Sequence, residues 1–199
     1  PILTINLSFL CLDNHTFADK NYLENMTKKK LEQVTLSDVD NVSSPYIAKN
    51  FVLTNSDDRP NEITLDYPYS CEWIVFAICI RGTSKLRVNF KEYDVEKNSL
   101  ITILPRQIVE RMESSKDFFI ELLAFSPDFI SDLSIPKDYD MGRKVTNNPI
   151  LKVSEEDIQN LLRYYTFIIE TFNNKRHKYL EQSIKGLLYS LLLEIASLY

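Results

Sequence analysis

A catalytic or binding centre needs side chains of the right type brought together, and metal ligands are the first to look for. The chain of 199 residues has two histidines, His15 and His177, and three cysteines, Cys11, Cys71 and Cys79. A first-row metal centre in a barrel needs two or three imidazoles and a carboxylate converging on one point. The stretch LITILPRQIVE, Leu100 to Glu110, reads as a strand that runs into a proline and restarts as a second strand. In many small β-barrels a metal-binding histidine follows such a proline by four or five residues, and here those places hold Val109 and Glu110. His15 lies in the N-terminal stretch, and His177 lies in NKRHK, a polar corner between helical segments where a histidine is usually a surface residue. The carboxylates Glu72, Glu92 and Glu110 are scattered over turns and strand ends. No metal and no cofactor are expected.

Nucleophilic catalysis has no better footing. There is no G-x-S-x-G elbow, and no histidine falls near a serine or cysteine of the strand region. No Gly-rich phosphate loop is present, and the surroundings of Arg81-Gly82 do not supply a cyclic-nucleotide cassette. No catalytic residue is expected, and the chain is read as a non-enzyme. The cysteines are odd in number, lack C-x-x-C spacing and include Cys79 inside an apolar run, which points to a reducing, cytoplasmic setting. The residues left for a site are aromatic and polar: Tyr67, Tyr69, Trp73, Phe76, Phe90 and Tyr93, with Arg87 and Thr102 on nearby strands. Small-molecule pockets are apolar with a few placed polar groups, so these fit a ligand cavity. They fit an ordinary packed core equally well.

The elements that must position them follow from periodicity. Apolar residues make up 44% and charged residues 26%, the profile of a globular chain, and the net charge of −5 argues against nucleic-acid binding by the chain itself. The opening PILTINLSFLCL is too short to span a membrane and lacks a basic signal-peptide start. Met26 could also begin the core, which would make residues 1–25 an extension. The polar segment TLSDVD reads as a short helix capped by Thr35 or Ser37. From Tyr46 to Phe125 closely spaced strand signals follow, YIAKNFVL, EWIVFAICIRG, SKLRVNF, YDV, LITIL, QIVERM and DFFIELLAF, joined by short polar turns. They predict an antiparallel sandwich or barrel.

The run Trp73 to Ile80 is apolar on both faces, Trp73, Val75, Ala77 and Cys79 on one and Ile74, Phe76, Ile78 and Ile80 on the other. A strand of that kind must be covered twice, by the barrel interior and by helices or a partner. With three glycines in the chain, turns must lean on Asn and Asp.

A helical region closes the chain. SPDFISDL reads as a short helix capped by Ser126, and NNPILKV as a loop. Ser154 starts a long helix, with Asp157 three residues on in capping-box position and apolar residues at Ile158, Leu162, Tyr165, Ile169 and Phe172. A second helix runs from about Lys178, with Ile184, Leu188, Leu191, Ile195 and Leu198 at the same spacing and Leu187 widening the stripe. A helix so apolar must be covered on two sides, so Ile184, Leu187, Leu188, Leu191, Ile195 and Leu198 are expected to form a homodimer interface. The alternative is burial within the monomer.

This order of parts resembles the N-terminal regulatory half of AraC/XylS-type transcriptional regulators. FAICIRGTSKLRVNFKEYDVEKNSLITILPRQIVE, LLAFSPDFI, NPILKVSEEDIQNLLRYYTFI and YLEQSIKGLLYSLLLEIASLY carry the resemblance, over roughly Tyr46 to Tyr199. It implies an α+β chain, an antiparallel cupin-like β-barrel of jelly-roll type followed by an antiparallel helical hairpin. The divisions expected are a 1–45 extension, a 46–150 sensor barrel and a 151–199 dimerisation region. The resemblance further implies a small-molecule effector of unknown identity, and DNA binding only through a C-terminal helix-turn-helix domain that the chain, ending in LLEIASLY, does not contain. The ligand residues expected are Tyr67, Trp73, Phe76, Arg87, Phe90, Tyr93 and Thr102. A metal-free cupin-like enzyme and a pure interaction module are the alternatives.

Overall fold

In the computed structural model the chain divides into two units, residues 1–31 and 32–199. The described residues, 32–34, 46–48, 51–53, 68–136, 140–174 and 176–199, all belong to the second. The TLSDVD helix, Tyr67, His15, Cys11 and Met26 lie outside them.

The strands β1 (Glu32–Val34), β2 (Tyr46–Ala48), β3 (Phe51–Leu53), β4 (Tyr69–Cys71), β5 (Ile74–Arg81), β6 (Thr83–Val88), β7 (Lys91–Glu96), β8 (Ser99–Ile103), β9 (Ile108–Ser114), β10 (Phe119–Phe125) and β11 (Ile150–Lys152) form two sheets. One runs β1-β4-β9-β6-β7 and the other β11-β8-β5-β10-β3-β2. All pairings are antiparallel except β1 with β4. Among the described residues no ladder joins the sheets, so the expected closed barrel stands as an open pair of sheets. The 1–45 segment, expected to be an extension, contributes β1 to the five-stranded sheet.

The helices are α1 (Met141–Asn147), α2 (Glu155–Asn173) and α3 (Leu180–Leu198), with a 3-10 turn at Pro127–Ile130. Ser126 caps that turn, accepting from the Phe129 N–H, and Ser154 caps α2, accepting from the Asp157 N–H at 3.1 Å. The Ser154 hydroxyl also donates to the Asp157 carboxylate at 2.6 Å, so the box closes side chain to side chain. The expected loop NNPILKV contains β11, which pairs with β8. Before it lies α1, whose only buried residues, Met141 and Val145, are one turn apart and too few to show a period. Among the described residues no helix is long and apolar enough to cross a membrane.

The two apolar faces of β5 are both covered. Phe76 and Ile78, with Ile74 and Ile80 alongside, join Tyr165, Ile168, Leu188 and Leu191 in the cluster between the six-stranded sheet and the helices. Ala77 and Cys79, with Trp73 and Val75, join Val88, Val95, Ile101, Ile103 and Val109 between the sheets. On α2 the buried stripe is Ile158, Leu161, Tyr165 and Ile168, turned by one position from the expected one, because Leu162 and Ile169 sit at its partly exposed margin.

The turns use few glycines. Asn89 and Phe90 make a two-residue turn between β6 and β7 at φ 47° and 69°, and Asn98 (67°) and Arg106 (70°) serve two others. Gly82, at φ 74°, joins β5 to β6, and a Cβ there would lie 2.5 Å from the Phe118 Cα and 2.6 Å from its nitrogen. The tight corner is tied by Ser115, whose Oγ accepts from the Thr83 N–H at 2.9 Å and donates to Asp117 at 2.7 Å. Gly82→Ala therefore meets both an unfavourable φ and a backbone clash. It should lower stability by about 2–3 kcal/mol, seen as a reduced urea midpoint; an unchanged midpoint would mean that this corner is not packed as described.

Candidate functional site

β4 enters the five-stranded sheet with Tyr69 opposite Val109 and therefore on the interior face, and Cys71, two residues on, faces the same way. Trp73 leads into β5, and Tyr93 lies opposite Leu86 on β7; both pack on the interior cluster. The β8–β9 turn returns beside Cys71: the Cys71 N–H donates to the Gln107 carbonyl at 3.0 Å, and the Arg106 N–H to the Cys71 carbonyl at 2.6 Å. Gln107 is buried, and its Oε1 accepts from the Leu104 N–H at 2.8 Å. That bond fixes the orientation of the amide. It leaves Nε2 as a buried donor with no hydrogen-bond partner among the described residues.

Burial pushes both thiols up, Cys71 above its ordinary range and Cys79 to about 11, against the opposing pull of their hydrogen bonds to the Trp73 and Arg81 carbonyls. Burial, and secondarily Cys71, raises the Tyr69 phenol. Thiols and phenol are thus protonated at neutral pH. Tyr69, Trp73 and Tyr93 pack on the apolar interior cluster, and Gln107 is buried at the β8–β9 turn with its Nε2 unpartnered among the described residues.

Of the seven expected ligand residues, Trp73 and Tyr93 share this interior. The others do not join them. Phe76 and Thr102 face each other across β5 and β8 on the side of the six-stranded sheet that meets the helices. Arg87 lies on the outer face of the five-stranded sheet, because Leu86 and Val88 on either side of it point inward. It bridges the cross-strand Glu110 at 2.8 Å and Glu92 at 2.7 Å. Phe90 sits in a turn and is 52% exposed. Tyr67 is outside the described residues. Val109 and Glu110, the places after the proline, fall one inside and one outside, and among the described residues no group of His, Cys, Asp or Glu is arranged to hold a metal.

Sequence reading missed Gln107, although it stands in the quoted LPRQIVE; its burial comes from the turn that folds it against Cys71. Two hollows open to solvent elsewhere. One of about 420 Å³ is bordered by Lys85, Asp94, Glu96 and Glu113, the other of about 250 Å³ by Met141, Lys144 and Leu193, and neither is lined by Tyr69, Trp73, Tyr93 or Gln107.

The expected dimer residues also divide. Ile184, Leu188, Leu191 and Ile195 are 0–4% exposed within the chain's own core, so this stripe serves the fold, while Leu187 and Leu198 are half-buried at its margin. The stripe meets α2 and the sheet, which is the intramolecular alternative. Polar contacts tie the end of β7 and the β7–β8 turn to β11 and the start of α2: Lys152 to Glu96 at 2.7 Å, Lys97 to Glu155 at 3.4 Å, and the Asn98 amide to Glu155 at 2.7 Å. The Asn98 hydrogen bond, then the Lys97 ammonium, hold the Glu155 carboxyl below its usual range.

No family model matches the chain, and no curated protein matches it in sequence. Among solved structures it is similar to the AraC-like transcriptional activator CuxR, at 13% identity and a TM-score of 0.36, over 61% of this chain and 42% of that one. It is also similar to the apo form of a ToxT variant from Vibrio cholerae, at 12% identity and 0.39, over 63% and 48%. Tomato (Solanum lycopersicum) vicilin matches at 15% and 0.29, over 61% and 49%. The chain thus aligns with less than half the length of each. At TM-scores below 0.5 such likeness carries no functional weight.

The buried thiols make stability depend on alkali with a defined sign. In the unfolded chain a cysteine ionises near pH 8.5–9, whereas folded Cys79 keeps its proton to about pH 11. The native state therefore binds more protons above pH 9, and stability present below that pH is lost as pH rises. The urea midpoint should fall between pH 9 and 11, less steeply in Cys79→Val; equal slopes would contradict the burial of this thiol. Arg87 and Glu110 should couple by about 1 kcal/mol in a double-mutant cycle, a half-buried cross-strand pair; zero coupling would mean the pair is not formed in solution.

Proposed function

We propose that the chain is the effector-sensing and dimerising part of an AraC-type transcriptional regulator, with DNA binding carried by a separate domain. The observation that supports this most is the shared wall. The six-stranded sheet has the sandwich interior on one face and α2 and α3 on the other, so β5 touches both at alternate residues. The Tyr165 hydroxyl reaches across the helix side to donate to the Phe76 carbonyl at 3.0 Å. A ligand that spreads the interior would shift β5 and the helices docked on it, and the Glu155 contacts would carry the same displacement from the β7–β8 turn. A ligand shifts such an equilibrium only by binding one arrangement better than the other.

The ligand proposed is a small, largely apolar molecule with a hydrogen-bond acceptor. Trp73 and Tyr93 would contact its apolar part and Gln107 Nε2 would donate to the acceptor. A second copy would meet the exposed margin of the helix pair, where Phe167 of α2 is 52% exposed and Leu187 and Leu198 of α3 are partly exposed.

Trp73 is the single tryptophan of the chain, so its fluorescence reports on the interior directly. A thermal-shift screen of sugars, aromatic acids and sterols should yield a compound that raises Tm and moves the Trp73 emission. Gln107→Leu should weaken that compound about tenfold, the loss of one buried hydrogen bond. A broad panel without any stabiliser would leave an interaction module as the reading. Sedimentation velocity should show a dimer that Phe167→Glu dissociates; a 23.3 kDa species at micromolar concentration would reject the dimer.

A further inference from the structure

α3 starts without the usual fastening. Tyr179 at its N-cap makes no side-chain capping bond, and the first N–H groups of a helix have no partners within it. His177 supplies what is missing. Its Nδ1 accepts from the Tyr179 N–H at 3.1 Å, and its Nε2 lies 3.4 Å from Ser183 Oγ in the first turns of α3. Its own N–H donates at 2.8 Å to the carbonyl of Asn174, the C-cap of α2. The residue thus spans the joint, its backbone tied to one helix and its ring to the next.

The contacts specify a protonation state. A ring nitrogen that accepts carries no proton, so the neutral ring holds its proton on Nε2, where it can reach Ser183. A second proton must go to Nδ1, which would then confront the Tyr179 N–H donor to donor. The same proton places a cation at the positive end of the α3 dipole. Among the described residues the surroundings do not offset it. Arg176 and Lys178 flank the residue, and Lys178 lies over the Tyr179 ring at 5.3 Å. On α3, Glu181 is engaged by Lys185 at 3.2 Å, and Lys185 also holds Asp132. On α2, Glu170 is the charged residue of the last turns, and among the described residues no carboxylate pairs with the ring.

We propose that His177 is an acid-sensitive fastener of the α2–α3 joint: the neutral ring holds the start of α3, and protonation releases it. Release takes up a proton, so lowering the pH favours the loosened joint. The device is independent of whether the interior binds a ligand.

Nitrogen-15 NMR of the 199-residue chain tests it. At pH 8 the His177 ring should show an unprotonated Nδ1 and a protonated Nε2. Between pH 8 and 5, hydrogen exchange at the Tyr179 amide, corrected for its intrinsic pH dependence, should accelerate about fivefold, the loss of one hydrogen bond of ordinary net strength. His177→Asn, which can accept without titrating, should keep the amide protected at both pH values, and His177→Phe should lose protection at both. A ring protonated on Nδ1 at pH 8, or the same pH response in His177→Asn as in the parent, would overturn the proposal.

Discussion

The whole arrangement depends on one strand, β5, whose two faces are both covered. An antiparallel strand exposed to water on one side alternates apolar and polar residues; β5 does not, because each side chain from Ile74 to Ile80 has a protein neighbour. Burying an aliphatic or aromatic side chain contributes about 1.5–3 kcal/mol, so leaving either face of β5 in water would forfeit several such terms. The second sheet and the helix pair are the two covers. Neither is an appendage, since removing either one exposes half of the same strand.

This constraint explains the fate of the terminal helix. Its apolar stripe suits a dimer interface and a monomer core alike, and sequence alone cannot tell which surface receives it. The receiving surface is the outer face of the six-stranded sheet together with α2, and it consumes Ile184, Leu188, Leu191 and Ile195. The contacts at the edges are polar and long-range. Lys185 ties α3 to Asp132, the Tyr189 hydroxyl donates to the Ser134 carbonyl at 3.2 Å, and Glu155 ties α2 to the β7–β8 turn. Exposed contacts of this kind contribute little stability each; they orient layers that apolar burial already holds together.

The charged row on the opposite side of the molecule illustrates the same alternation. Arg87 is a reasonable ligand residue as a cation set between apolar Leu86 and Val88. Its two neighbours, Leu86 and Val88, claim the interior, and a period of two leaves Arg87 outside with Glu92 and Glu110 directly across. Thr102 and Phe76 were displaced from the proposed pocket for a related reason, their alternation placing them on the helix side of the sheet. Alternation along SKLRVNF already sets Arg87 apart from Leu86 and Val88, and along Trp73 to Ile80 it sets Phe76 apart from Trp73; which face meets the interior is decided by how the sheets pack.

What the sequence by itself determined was local and periodic: most of the strands between β3 and β10, the caps at Ser126 and Ser154, the reliance on asparagine in turns, and the double burial of β5. These follow from side-chain volume, polarity and spacing along a few residues, which the chain carries without folding. What only the tertiary structure decided was which apolar surface meets which, and what sits beside what across long separations. The three-residue β11 is a strand only because β8 offers it a ladder. Gln107 is a buried donor only because its turn closes on Cys71, and His177 is a helix fastener only because α2 ends where α3 begins. Each depends on contacts formed through folding, whose partners no short window of sequence contains.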